Sequence, residues 1–241
     1  MDEPCIRVKN LTKSFGDRNV VDGLSFDVKK GEVFALLGHN GAGKSTTIDL
    51  ILGLKRPDAG SATILGLSAT NNRKQVFERV GVQLQHTQYQ PNITVEEACI
   101  EYASLYDAPA DYPALLEQFG LGTLRKSFVS KLSGGERQKL SVVLALIGIP
   151  ELVFLDELTT GLDVVARREV WRTLKQLKGL GLTIFLTTHY MEEAEVLCDR
   201  VCIIKSGKKV AEGTIGEITA AAGQKNLEEA YLFFMGEEEL L

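Results

Sequence analysis

Short runs of consecutive apolar and β-branched residues alternate along the chain with stretches whose apolar positions recur at helical spacing. That is the pattern of an α/β domain built on a largely parallel sheet. Residues 33–37 form a continuous apolar strand, followed by a glycine-rich turn and a helix over 44–52 that Gly53 is placed to end. Residues 56–60 are a turn by composition, and 80–84 predict another strand. From Thr94 to Ile149 the strand signal vanishes, and helices are predicted over 94–106, 111–119 and 136–149. The strand pattern returns at 152–155 and 183–187, with helices over 164–178 and 190–198. Residues 200–204 and 208–212, joined at Ser206-Gly207, predict a hairpin. In the last segment Leu227, Tyr231 and Phe234 recur at helical spacing before a run of glutamates.

Composition narrows the picture only a little. The 241 residues are 44% hydrophobic and 24% charged, with a net charge of −5, as expected of a globular protein and not of a disordered one. The mild acidity argues against a nucleic-acid partner bound by blanketing phosphates with basic side chains. The longest near-apolar run, 140–149, falls well short of the roughly 20 residues that span a bilayer, so it reads as a buried helix. Met1-Asp2-Glu3-Pro4 lacks the basic, apolar character of a signal peptide. Cys5, Cys99, Cys198 and Cys202 have no CxxC spacing and read as buried thiols, which points to a reducing, cytoplasmic compartment.

The chemistry concentrates in a few short runs. Gly38-His39-Asn40-Gly41-Ala42-Gly43-Lys44-Ser45-Thr46 fits G-x-x-x-x-G-K-[ST] between a strand and a helix. Glycines there let backbone N–H groups wrap an anion, and the helix N-terminus adds a positive dipole end. Lys44 is placed to reach the β- and γ-phosphates of a nucleoside triphosphate, and Ser45 to ligate Mg²⁺. The strand at 152–155 runs into Asp156-Glu157, a carboxylate suited to the metal side of such a site followed by one suited to orienting an attacking water. By itself that pair could equally mark a strand's exit into solvent. Ser133-Gly134-Gly135 opens a helix and forms a second potential anion site, or an ordinary capped helix start.

Leu132-Ser133-Gly134-Gly135-Glu136-Arg137-Gln138 matches the LSGGQ signature, with Glu136 in place of the usual Gln. Taken with the phosphate loop, Asp156-Glu157 and His189, in this order and spacing, the chain resembles the nucleotide-binding domain of ABC transporters over essentially its whole length. The resemblance implies a P-loop NTPase (RecA-like) α/β core, an antiparallel β subdomain and an inserted all-helical lobe at about 88–149. The domain would cover 1–222, with a C-terminal helical tail over 223–241. It also implies ATP and Mg²⁺ as ligands: Gln85 the sensor of metal and water, Glu157 the catalytic glutamate, and His189 the switch histidine. Gln83 is a near neighbour that could be mistaken for the sensor. Phe15 falls where an aromatic ring stacks on adenine, although a core role for it stays open.

In this family two domains dock head to tail, so each ATP lies between one chain's Lys44 loop and the other chain's Ser133-Gly134-Gly135. A second ATP-binding subunit is therefore implied, a homodimer in the simplest case, together with an integral membrane permease subunit. The expected location is peripheral, on the cytoplasmic face of the inner or plasma membrane. The loop after Glu157 carries Leu158 where Pro is usual. The run from Thr188 to Val201 and the segment 227–231 look like the branch that powers drug, lipid and polysaccharide exporters. A soluble ABC ATPase acting as a cytosolic assembly factor is the alternative. The short spacing between Ser45 and Ser133, without sustained heptads, excludes the coiled-coil chromosome ATPases.

Overall fold

Strands β3 (Val33–Leu37), β5 (Val80–Gln83), β6 (Leu152–Asp156), β7 (Thr183–Thr188) and β8 (Arg200–Lys205) run parallel in one sheet, and β9 (Lys208–Gly213) pairs antiparallel with β8. The spatial order is β5-β6-β7-β3-β8-β9. This computed structural model describes residues 3–84 and 89–237. The central strands read as unbroken apolar runs because both of their faces are covered. On β3, Val33, Ala35 and Leu37 enter one core while Phe34 and Leu36 enter another. The same alternation splits β6 and β7, so the sheet separates two hydrophobic layers.

The first layer is helical. It holds α3 (Val95–Ala103), α4 (Tyr112–Gln118), α5 (Gly134–Leu146), α6 (Val164–Gly179), α7 (Met191–Leu197), α8 (Ile215–Ala222) and α9 (Leu227–Met235). The second layer packs α1 (Lys44–Ile51) and the short α2 (Arg73–Phe77) with a three-stranded antiparallel sheet. That sheet comprises β1 (Ile6–Phe15), β2 (Arg18–Val28) and β4 (Ala59–Ile64), in the order β2-β1-β4. Its seam with the main sheet is aromatic: Phe26 stacks on Phe34 at 5.3 Å and on Phe185 at 6.0 Å, and Phe154 meets Phe185 at 5.3 Å.

Local chemistry corrects several helix limits. α5 starts at Gly134, two residues earlier than its periodicity predicts, because the Ser133 hydroxyl accepts the Glu136 N–H (3.2 Å) while the Glu136 carboxylate accepts the Ser133 N–H (2.7 Å). It ends at Leu146, short of the expected 149, since Ile149 adopts φ 49° and precedes Pro150, which disfavours helix at the residue before it. α8 was not anticipated, although Thr214 and Glu217 form the same reciprocal cap. α9 packs back on the domain: Leu227 and Ala230 are buried, the Leu227 N–H bonds Glu195 at 2.7 Å, and the Lys205 ammonium donates to the Met235 carbonyl.

Candidate functional site

Because β3, β5, β6 and β7 are parallel, the loops leaving their C-terminal ends gather on one edge of the sheet, where ligands of such folds bind. The β3–α1 loop is shaped by close backbone approach. Gly43 sits at φ 108°, and a Cβ there would lie 2.4 Å from the Val20 carbonyl oxygen of β2. At Gly38 a Cβ would meet the Ile204 carbonyl oxygen at 2.8 Å. Only glycine fits either position. Gly43 is also the N-cap of α1, so no side chain covers the first-turn N–H groups, in contrast with the capped starts of α3, α5, α6 and α8. That open turn can receive an anion.

Lys44 is 4% exposed. Its ammonium donates to the carbonyls of Gly38 (2.8 Å) and His39 (3.3 Å) and pairs with Glu157 Oε1 at 3.4 Å. Ser45 Oγ donates to Asp156 Oδ1 at 3.4 Å, and the Thr187 hydroxyl donates to the same oxygen. Burial pushes the Asp156 carboxyl above its ordinary range. The Thr187 and Ser45 hydrogen bonds pull it back, and the neighbouring Glu157 charge pushes it up further. Glu157 has φ 49°, a left-handed bend held by its N–H, which lies 3.1 Å from both the hydroxyl and the carbonyl oxygen of Thr187.

His189, just beyond β7, places Nδ1 3.9 Å from Glu157 Oε1, and its ring lies tilted against that of Tyr190, 4.2 Å between centres. A cleft of about 270 Å³ opens here, lined by Val20, Asn40, Gly41, Gly43, Lys44, Ser45, Thr46 and Glu157. Gly38 and Ala42 do not line it, and both are buried.

The remaining expected residues are spread more widely. Gln85 lies outside the described residues. Its neighbour Gln83 is buried and bonds the Leu84 carbonyl through Nε2 at 2.9 Å. Phe15 occupies the corner of the β1–β2 hairpin, 48% exposed, with the Lys13 and Lys55 ammoniums each 5.6 Å from its ring centre, so it is not a core residue. Ser133, Gly134 and Gly135 do not line the cleft, and Ser133 and Gly134 are exposed at the start of α5.

Sequence reasoning missed Thr187, whose hydroxyl bonds Asp156 and Glu157, and Arg18, whose guanidinium reaches the Gly41 carbonyl at 3.4 Å. A threonine inside a strand carries no signal by itself, and Arg18 becomes relevant only through its pairing with Phe15 across the hairpin.

Comparison with known proteins places the chain in a family. The pattern of the ABC transporter family matches residues 21–160. The chain is 42% identical over 226 residues to Nod factor export ATP-binding protein I of Paraburkholderia xenovorans (strain LB400), covering 92% of this chain and 74% of that protein. It is 44% identical over 213 residues to the protein of the same name from Burkholderia pseudomallei (strain K96243), covering 86% and 70%. A solved ATP-binding subunit of an ABC transporter superposes with a TM-score of 0.88 at 31% identity, over 96% of this chain and 99% of that one. A nucleotide-free ATP-binding cassette from an ABC transporter shares the fold, with a TM-score of 0.82 at 23% identity. The chain belongs to the ABC transporter family, as an ATP-binding subunit. Such subunits are ATPases that drive transport through a separate membrane component. Among the described residues no helix is long and apolar enough to cross a membrane.

Proposed function

We propose that the cleft binds ATP between one chain's Lys44 loop and the Ser133-Gly134-Gly135 helix start of a second copy, and that its hydrolysis drives export. The observation that carries this reading is the Lys44–Glu157–Asp156 cluster. A buried ammonium, a bent catalytic-type glutamate and a buried aspartate meet below an uncapped helix N-terminus. Lys44 and the α1 amides would take up charge on the β- and γ-phosphates as it develops, a positioning and electrostatic role. Glu157, freed from Lys44 as phosphate takes over that ammonium, would hold the attacking water in line, and His189 would contact the γ-phosphate. Phe15 offers its exposed face to adenine.

Ser45 and Asp156 share one hydrogen bond and present hard oxygens, and no group of three metal-ligating side chains stands among the described residues. That donor set suits Mg²⁺, which is usually held by one or two protein oxygens plus phosphates. Ser45, Asp156 and Gln85 would hold the ion, which neutralises phosphate charge when bound.

For the membrane partner, the best-suited surface is a groove of about 340 Å³ between the core and the helical lobe. It is lined by Phe77, Val80, Val82, Tyr102, Leu105 and Tyr106 among others, with Leu105 71% exposed. The chain would sit there, peripheral on the cytoplasmic face of the membrane. The relatives' names, which specify export, favour an exporter over a cytosolic assembly factor.

The test is capture of tagged Glu157→Gln chain with ATP from detergent-solubilised membranes of its own source. Co-recovery of a polytopic membrane protein in near-stoichiometric yield is expected. Recovery of soluble proteins only, or of the chain alone, would retire the exporter reading. Changes at Tyr89 or Gln90, beside this groove in sequence, should uncouple transport and leave basal ATPase intact.

A further inference from the structure

We propose that Glu193, a buried carboxylate on α7, is a positioning residue of the hydrolytic site. It bonds α6 and faces both the end of the strand that leads to His189 and the loop that follows Glu157, so that histidine and glutamate are held in one relative geometry. The inference rests on the roles proposed above for Glu157 and His189, and adds a residue that neither motif contains.

Glu193 is 2% exposed. The Trp171 indole N–H of α6 donates to its Oε1 at 3.0 Å. The Thr188 hydroxyl, one residue before His189, faces the same carboxylate, and its oxygen accepts the Tyr190 N–H at 3.0 Å. Thr159, two residues after Glu157, is fully buried and turns its hydroxyl toward the carboxylate without completing a hydrogen bond. Arg167 of α6 adds positive charge, and its guanidinium lies 4.5 Å from the Tyr190 ring that packs at a tilt against His189. One side chain therefore touches or faces α6, the end of β7 and the loop after β6.

A packing role does not explain a carboxylate at this position. Burial disfavours its charged form and holds its carboxyl above the ordinary range, whereas a neutral acceptor of similar volume would fill the space and still receive the Trp171 N–H. The surrounding bonds are also incomplete. Thr159 Oγ1 and Arg167 Nε, both beside this carboxylate, are buried without hydrogen-bond partners. A purely structural knot would satisfy its donors. Here the carboxylate keeps acceptor capacity beside the unengaged Thr159 hydroxyl, as befits an element with a second, more fully bonded arrangement.

The test uses the full chain and four variants, Glu193→Gln, Glu193→Asp, Thr159→Val and Lys44→Ala, measuring steady-state ATPase, ATP affinity by calorimetry, and melting temperature. Glu193→Gln is expected to lower kcat by at least about tenfold while KM and ATP affinity stay within about twofold, as for a misplaced catalytic group. Glu193→Asp should recover part of that loss. Thr159→Val is the sharper arm. It deletes an unpaired buried hydroxyl, so the variant should melt at or above the parent temperature, yet still lose kcat by about threefold or more. Folded variants at Glu193 and Thr159 with parental kcat would overturn the proposal. So would a loss in which kcat, ATP affinity and melting temperature decline together. If Glu193→Gln does not fold, Thr159→Val decides alone. Absence of ATPase in the parent chain, or ATPase unaffected in Lys44→Ala, would instead strike the reading of the ATP cleft itself.

Discussion

Replacing Gly43 with alanine isolates what the phosphate loop demands of its backbone. Two penalties combine. Holding an L-residue at φ 108° costs about 1–2 kcal/mol. The new Cβ would also stand 2.4 Å from the Val20 carbonyl oxygen, far inside contact distance. The Gly207 backbone packs close to the same carbonyl, near enough that a Cβ there would lie 2.6 Å from its oxygen, which limits how far the oxygen can shift. The Gly207 backbone is itself pinned by bonds of 3.0 Å to Asp22 and to Ala42. Overpacking of this kind costs about 1–3 kcal/mol. Together they give about 2–5 kcal/mol, a fall in melting temperature of roughly 4–20 °C for a chain of this size. Gly41→Ala is the internal control: φ is 80°, but the nearest atom to its Cβ is the mobile end of Arg18 at 4.0 Å, so only the first penalty of about 1–2 kcal/mol applies. Scanning calorimetry of both variants, with ATP affinity measured alongside, settles the matter. Equal melting temperatures would refute the argument from close approach.

Other outcomes follow from the same geometry. Glu157→Gln keeps the shape of the side chain but removes its charge, so with ATP and Mg²⁺ the chain should accumulate at twice its 26.4 kDa on light scattering; a persistent monomer would defeat the head-to-tail reading. Phe15→Ala should weaken ATP binding by about two- to tenfold, since ring stacking is worth about 0.5–1.5 kcal/mol, while Phe15→Tyr leaves affinity unchanged and neither shifts the melting temperature appreciably. Glu151 bonds Arg79 at 2.7 Å and Lys30 at 3.2 Å, and the Arg79 bond foremost holds its carboxyl below the ordinary glutamate range. Because the folded value is depressed, the pairing stabilises the chain above the unfolded value and is lost as pH falls through the folded one. Glu151→Gln should therefore cost no more than about 1 kcal/mol at neutral pH, in urea titrations, and progressively less in acid.

The parallel core was legible in the sequence because buried-both-faces strands such as Val33–Leu37 leave an uninterrupted apolar signature that no surface element imitates. The β1–β2–β4 sheet was legible only through the family resemblance. Register shifts between Val8 and Leu11, and again through Lys13 and Ser14, break the two-residue alternation from which strands are read. Helix limits failed where a side chain overrode periodicity, as at the Ser133–Glu136 cap. Within the cleft, Lys44 and Asp156-Glu157 announced themselves by motif. Thr187 did not, because its importance lies in a hydroxyl aimed across to the neighbouring strand β6, and such aim is a property of register.

The separation of the Ser133 helix start from the Lys44 cleft has a genetic counterpart. If each working centre is assembled from complementary halves of two chains, a lesion in one half is not carried by the other. Coexpressing a Lys44→Ala chain with a Ser133→Ala chain, each inert alone, would create mixed pairs in which one centre inherits both defects and the other inherits neither. Two null alleles would then restore one active centre per mixed pair.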